Sequence, residues 1–222
     1  MIISEIGQNW VGNISLAEKL IYLAKENGSD LVKFQLYDSV KLYGKKQKEE
    51  LRFGEAKHLF DYGGKIGIEV FFSVFDAERV KWCEEIGVHR YKMAFSQKDN
   101  LELYRAICYT HKDIFISCCP PYKVPEPYTL GSNWIDIKML HCVPKYPATI
   151  EDYHLPHEFV NVGISDHTIG LDLAKIAIVK GAKIIEKHFA IDHHTGVDAE
   201  WSMTPDELKE LKRWEQICVQ LS

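Results

Sequence analysis

Short runs of β-branched and aromatic residues recur along the chain: MIISEIG, DLVKFQL, IEVFFSV, RYKMAF, DIFISCC, IDIKMLHC, VNVGIS and KIIEKHF. Each has strand length and is nearly continuous in apolar character, the pattern of strands buried on both faces. Between them, residues 15–27, 76–86, 100–110 and 171–180 space their apolar positions as helices do, and several such segments end in glycine. Eight strand candidates alternating with helices in 222 residues predict an α/β chain folded as a (β/α)8 TIM barrel, a single domain over residues 1–222. An open doubly wound sheet is the alternative, but no GxGxxG follows the first strand. Two connections are long: the lysine-rich residues 37–48, and the proline-rich CCPPYKVPEPY at 118–128, expected as a rigid rim loop.

In such a barrel the chemistry gathers where strands end, so the polar residues at those ends are the candidates. They are Glu5; Lys33 and Gln35; Ser73; Lys92; Ser117; His141; Ser165, Asp166 and His167; and Glu186, Lys187 and His188. One polar strand end is ordinarily a capped loop or a buried histidine with a partner; eight of eight call for a shared polar pocket. Lysines, hydroxyls, carboxylates and imidazoles together suit a phosphorylated or carboxylated small substrate beside a divalent metal. Residues two apart on a strand point the same way, which pairs Lys33 with Gln35 and Glu186 with His188 and turns Lys187 outward unless the strand has already ended. The neutral imidazoles of His167 and His188 could hold a manganese-like ion; zinc is the competing metal, and two buried histidines bonded to backbone or carboxylate are the plainer reading. His193 and His194 fall in the following loop as solvated or lining residues, and Tyr146 is expected at the rim.

Composition narrows the partners. A net charge of −5 gives no basic surface for nucleic acid, and no apolar run approaches the roughly 18 residues needed to span a bilayer. The expectation is a soluble, cytoplasmic protein acting on a small molecule. Six scattered cysteines, with Cys118 and Cys119 adjacent, fit reduced thiols better than a disulfide framework.

With these residues in view, the chain resembles the N-acetylneuraminate synthase family, the sialic acid synthases and their legionaminic and pseudaminic acid relatives. The resemblance is carried by an ordered series: SEIGQNWVG at Ser4–Gly12, VKFQ at Val32–Gln35, FSVFD at Phe72–Asp76, Tyr91-Lys92, Ser117, LHC-x-x-x-YP at Leu140–Pro147, GISDHTIG at Gly163–Gly170, IEKHF at Ile185–Phe189, and Gly196-x-Asp198. It implies condensation of phosphoenolpyruvate with an N-acetylated amino sugar, typically N-acetylmannosamine, giving a nine-carbon 2-keto acid and phosphate. It further implies Mn2+ or Mg2+ held by His167 and His188, and catalytic roles for Glu5, Lys92 and Glu186. Substrate would be bound by Lys33, Gln35, Ser73, Ser117, Ser165, Lys187 and Asp198.

The chain departs from the family pattern at several positions. Trp10 stands in place of a histidine, Phe95 in place of a serine, Gln97 in place of an acid and Val74 in place of a threonine, and Cys118 and Cys119 follow Ser117 where small residues are usual. These changes are expected to alter the sugar end and the phosphate pocket. Typical members also carry a C-terminal antifreeze-like domain that caps a partner's barrel, and this sequence ends at Ser222. By analogy a homodimer is expected, or a partner chain that supplies a lid. Besides a synthase, a barrel aldolase or isomerase using Lys92 or Lys187, and a sugar-binding or regulatory barrel without turnover, stay open.

Overall fold

A computed structural model describes residues 1–120 and 135–221. Its eight parallel strands are β1 (Ile2–Gly7), β2 (Leu31–Leu36), β3 (Glu69–Val74), β4 (Arg90–Met93), β5 (Asp113–Cys118), β6 (Ile137–Cys142), β7 (Val162–Asp166) and β8 (Ile185–His188). They close into a barrel in sequence order, β8 pairing back onto β1. Every predicted strand is present, so the (β/α)8 TIM barrel stands and the open sheet does not.

Helices α1 (Ile14–Glu26), α3 (Phe53–Ile66), α4 (Ala77–Ile86), α5 (Leu101–Cys108), α6 (Asp172–Val179) and α7 (Pro205–Leu221) surround the barrel. Side-chain caps start three of them: Asn13 accepts from Leu16 N, Asp76 from Arg79 N and Asn100 from Leu103 N, satisfying amides that the first helical turn leaves unpaired. Residues 37–48, expected as loop, contain a short helix, α2 (Ser39–Tyr43), because the Asp38 carboxylate accepts from Val40 N and Lys41 N. The β6–β7 connection carries a single 3-10 turn, Glu151–Tyr153. The proline-rich stretch lies, from residue 121 to 128, outside the described residues. No helix among the described residues is long and apolar enough to cross a membrane.

Strand alternation divides the apolar residues into two layers. Outward-facing Ile6, Val32, Phe34, Phe72 and Ile164 belong to the large core between barrel and helices. Inward, Ile3, Leu31, Phe71, Phe115, Leu140 and Ile184 form a separate plug that closes the N-terminal end of the barrel. Gly163 occupies the same inner layer because nothing larger fits: a Cβ there would lie 2.6 Å from the Ile184 carbonyl oxygen and 2.7 Å from Leu140 Cδ2. Gly163→Ala is expected to cost about 1–3 kcal/mol by overpacking, a Tm lowered by roughly 2–12 °C in thermal denaturation. An unchanged Tm would mean that the plug has room to yield.

Candidate active site

Two residues above each plug position, the inner face becomes polar. Glu5, Lys33, Ser73, Lys92, Ser117, Cys142, Ser165 and Glu186 come one from each strand in turn and close a ring around a cavity of about 50 Å³. Gln35, His167 and His188 stand one step nearer the open end. The register explains the order: Cys142 is level with Ser165, Ser165 with Glu186, and Glu5 with both Lys33 and His188.

The ring is tied by charge. Lys33 forms a buried ion pair with Glu5, donates to Ser73 Oγ at 2.7 Å and lies 3.6 Å from Glu186. Lys92 donates to Ser117 Oγ at 2.6 Å and lies 3.5 Å from the other oxygen of Glu186. Ser165 Oγ donates to Glu186 at 2.8 Å, and Gln35 Nε2 to Glu5 at 2.8 Å. Glu186 therefore bridges two ammonium groups, each seated on a serine from the neighbouring strand.

Burial acts on every group here, and the neighbours decide the direction. Burial pushes Glu186 up, but Lys33 and Lys92 outweigh it and hold the carboxyl below its ordinary range. Glu5 ends above its ordinary range, since burial and the nearby Glu186 exceed the pull of Lys33. Burial draws Lys92 down, with the positive Lys33 adding to it. Lys33 moves up because Glu186 and Glu5 together overcome its burial. Asp198 is half-buried, and desolvation with the nearby Glu5 pushes it up to about 7.

The two imidazoles fit a divalent cation. Burial lowers His167 to about 4 and, with His167 beside it, puts His188 well below its ordinary value, so both rings are neutral at pH 7, the form that binding a cation requires. His167 Nδ1 lies 2.9 Å from the Val143 carbonyl oxygen, which can only accept. That bond places the proton on Nδ1 and leaves the lone pair on Nε2, where Ser165 Oγ, whose proton goes to Glu186, lies 3.4 Å away. His188 Nδ1 is buried without a hydrogen-bond partner among the described residues, its nearest charged neighbour being Asp198 at 3.4 Å. The ring centroids are 5.6 Å apart. Among the described residues no group of three or more His, Cys, Asp or Glu side chains stands arranged as a metal-ligand set, so this pair would leave coordination positions open.

Beyond the imidazoles the cavity widens into a basin of about 990 Å³, walled by Tyr43 and Lys46 on one side and by Tyr146, Asp198 and Trp201 on the other. Tyr146 stacks on His167 with centroids 4.2 Å apart, confirming its rim position. Asp198 is held in place by Asn9, whose Oδ1 accepts from Asp198 N at 2.9 Å while its Nδ2 donates to Phe189 O and Ser202 Oγ. The preceding Gly196 has φ +130°, and a Cβ there would meet Asn9 Oδ1 at 2.3 Å, which accounts for glycine two residues before the acid. Another depression, of about 510 Å³ between α1 and α7, is lined by charged surface side chains and lies away from the strand ends.

Most of the candidates named from sequence meet here: Glu5, Lys33, Gln35, Ser73, Lys92, Ser117, Ser165, His167, Glu186 and His188 around the small cavity, Asp198 in the basin. Lys187 does not. It points to the outer face, where its ammonium donates to Thr168 O at 2.6 Å and pairs with Asp166. His141 also faces outward, Nε2 donating to Tyr153 O at 2.7 Å, and the site position on β6 falls to Cys142. Burial pushes the Cys142 thiol up to about 11, so it stays neutral. Cys142, Phe75 and Trp201 were missed; the first could have been found by stepping two residues on from Leu140.

A sequence model of the NeuB family matches residues 20–219. The chain belongs to the NeuB family. Among curated relatives, the N,N'-diacetyllegionaminic acid synthase of Legionella pneumophila is 32% identical, over 95% of this chain and 69% of its own length. The enzyme of the same name from Campylobacter jejuni is 30% identical, over 95% and 74%. Among solved structures, the N-acetylneuraminic acid synthetase of Leptospira borgpetersenii, in complex with citrate, superposes with a TM-score of 0.87 at 27% identity, covering 99% of this chain and 84% of that one.

Several departures from the NeuB pattern fall outside the cavity. Trp10 is buried in the outer core, away from the cavity lining, and Val74 packs in the same layer. Cys118 is buried and Cys119 exposed, and neither lines the cavity. Phe95 does reach it, and Phe95 and Ser96 line the basin, whereas the Gln97 side chain accepts from Asn100.

Proposed function

We propose that this chain condenses phosphoenolpyruvate with an open-chain N-acetylated amino sugar to give a nonulosonic acid and phosphate. The observation that carries this reading is the pair of buried lysines, each docked on a serine and joined through Glu186, directly beneath two neutral imidazoles. Such a floor suits a small, highly charged phosphate and carboxylate, and the wider basin suits a polyhydroxylated chain. The names of the relatives agree with it.

In this mechanism Lys33 and Lys92, with Ser73, Ser117 and Ser165, bind and orient the anionic groups of phosphoenolpyruvate, replacing their water shell by fixed donors. A divalent cation, Mn2+ or Mg2+, held by His167 and His188 would supply Lewis-acid polarisation of the sugar aldehyde oxygen. Glu186, held below its ordinary range by both lysines, fixes where their two ammonium groups stand. Asp198 in the basin, pushed up to about 7, would carry the proton that the aldehyde oxygen gains, and Glu5, paired with Lys33 and steadied by Gln35, would accept one from the water that adds at C2. Tyr146 and Trp201 limit water around the imidazoles.

The test is phosphate release from phosphoenolpyruvate with manganese, comparing N-acetylmannosamine, 2,4-diacetamido sugars and no sugar, with a chelator control. Release is expected only with both sugar and metal. Binding of phosphoenolpyruvate and manganese without release for any sugar would point to a binding protein. A second reading, aldol chemistry through a Schiff base, is favoured by the lowered proton affinity of Lys92. Borohydride trapping of a keto acid on Lys92 would support it; the outward Lys187 is no candidate.

A further inference from the structure

Behind the imidazoles lies a second set of polar side chains, Tyr153, Asp166, Thr168 and Lys187, none of which lines the cavity. On β7 and its end, Asp166 separates Ser165 from His167; on β8, Lys187 separates Glu186 from His188. Alternation turns these two outward, where both side chains are 0% exposed with Lys187 Nζ 3.1 Å from Asp166 Oδ2. Lys187 also donates to Thr168 O at 2.6 Å, and Asp166 Oδ1 accepts from Thr168 N and Thr168 Oγ1, each at 2.7 Å. The buried Tyr153 hydroxyl donates to Ser165 O at 2.7 Å and accepts from His167 N at 2.9 Å. His167 O in turn accepts from Ala148 N at 3.0 Å.

One hydroxyl thus fixes the peptide groups on both sides of Asp166, and one ion pair ties that segment to the residue between Glu186 and His188. Stability alone does not call for this arrangement, because a buried ion pair is commonly matched or bettered by apolar side chains of similar volume. What it supplies is geometry: small movements of either strand end would change the separation of the two rings.

We propose that Tyr153, Asp166 and Lys187 are positioning residues that brace the ends of β7 and β8 from outside the barrel and thereby set the spacing of His167 and His188 for a divalent cation. This rests on the reading of those histidines as metal ligands. Groups behind metal ligands affect affinity by about 10–100-fold, and Tyr153→Phe, which removes one hydroxyl and keeps the ring, should raise the Mn2+ dissociation constant by that amount.

The experiment is Mn2+ titration of the full chain followed by electron paramagnetic resonance of the free ion, with thermal denaturation on the same samples. The variants are Tyr153→Phe, Lys187→Met, Asp166→Asn and, as reference, His167→Ala. Weakened Mn2+ binding by cooperatively folded Tyr153→Phe, in the same direction as Lys187→Met, is expected. If Lys187→Met does not fold, Tyr153→Phe decides. A lowered Tm with Mn2+ affinity within about two-fold of the parent, while His167→Ala loses binding, overturns the proposal by showing a purely structural role. Unchanged binding in His167→Ala overturns the metal reading itself, and the brace with it.

Discussion

Replacing His188 with alanine is expected to lower metal-dependent turnover by about three orders of magnitude or more while leaving the barrel folded. A Lewis acid at a developing alkoxide is worth several kcal/mol, and each 1.36 kcal/mol is about tenfold in rate. The fold should survive because His188 closes β8 at the open end of the barrel, away from the apolar plug, and its Nδ1 has no hydrogen-bond partner among the described residues to be orphaned. Phosphate release at saturating manganese measures the first effect, and circular dichroism with thermal melting the second. Full activity in the variant would sink the metal assignment.

Lys33→Ala should act on the other substrate. Its ammonium pairs with Glu5, contacts Ser73 and approaches Glu186, so it is tied to two carboxylates and a hydroxyl at once. Removing one member of a buried charge-assisted set costs about 2–5 kcal/mol, and the apparent affinity for phosphoenolpyruvate should fall by roughly thirty-fold or more, with a much smaller change for the sugar. Steady-state kinetics with each substrate varied in turn separates the two; an unchanged KM for phosphoenolpyruvate would count against the clamp.

The same variant carries a pH signature. Without Lys33, Glu5 loses its ion-pair partner while keeping its burial and the neighbouring Glu186, so its folded-state pKa rises further above the unfolded value. A carboxyl raised in the folded state favours folding when protonated, and that contribution is lost as pH rises from its unfolded pKa through the folded one. The stability deficit relative to the parent should therefore be smallest in acid and grow towards neutrality.

The barrel was legible because its strands are buried on both faces, so β-branched and aromatic runs such as DLVKFQL and IEVFFSV stand out against amphipathic helices. The site was legible for a related reason: polar residues such as Lys33 and Glu186 interrupt those runs where burial would otherwise exclude them. Which polar residue faces inward was harder. His141 and Cys142 are adjacent, and the histidine looked like the functional one, yet inward Leu140 fixes Cys142 as its same-face neighbour. For Lys187, alternation already pointed outward, and its substrate role came only from the family resemblance; its pairing with Asp166 is a long-range contact that the local pattern does not carry. Phe75 and Trp201 come from segments after β3 and far beyond β8, where no periodicity marks a lining residue.

The alternation that sets ring against plug also sets what changes the chain can absorb. A substitution on an outward position, as at Val74, stays within the layer shared with the helices and leaves the cavity lining untouched. A single-residue deletion within β8 is a different event: loss of Ile185 would carry Lys187 into an inward position and turn Glu186 and His188 towards the helices. In a library of variants, the loops should therefore accept length changes, whereas strands β7 and β8 should accept replacements but not frame slips of one residue.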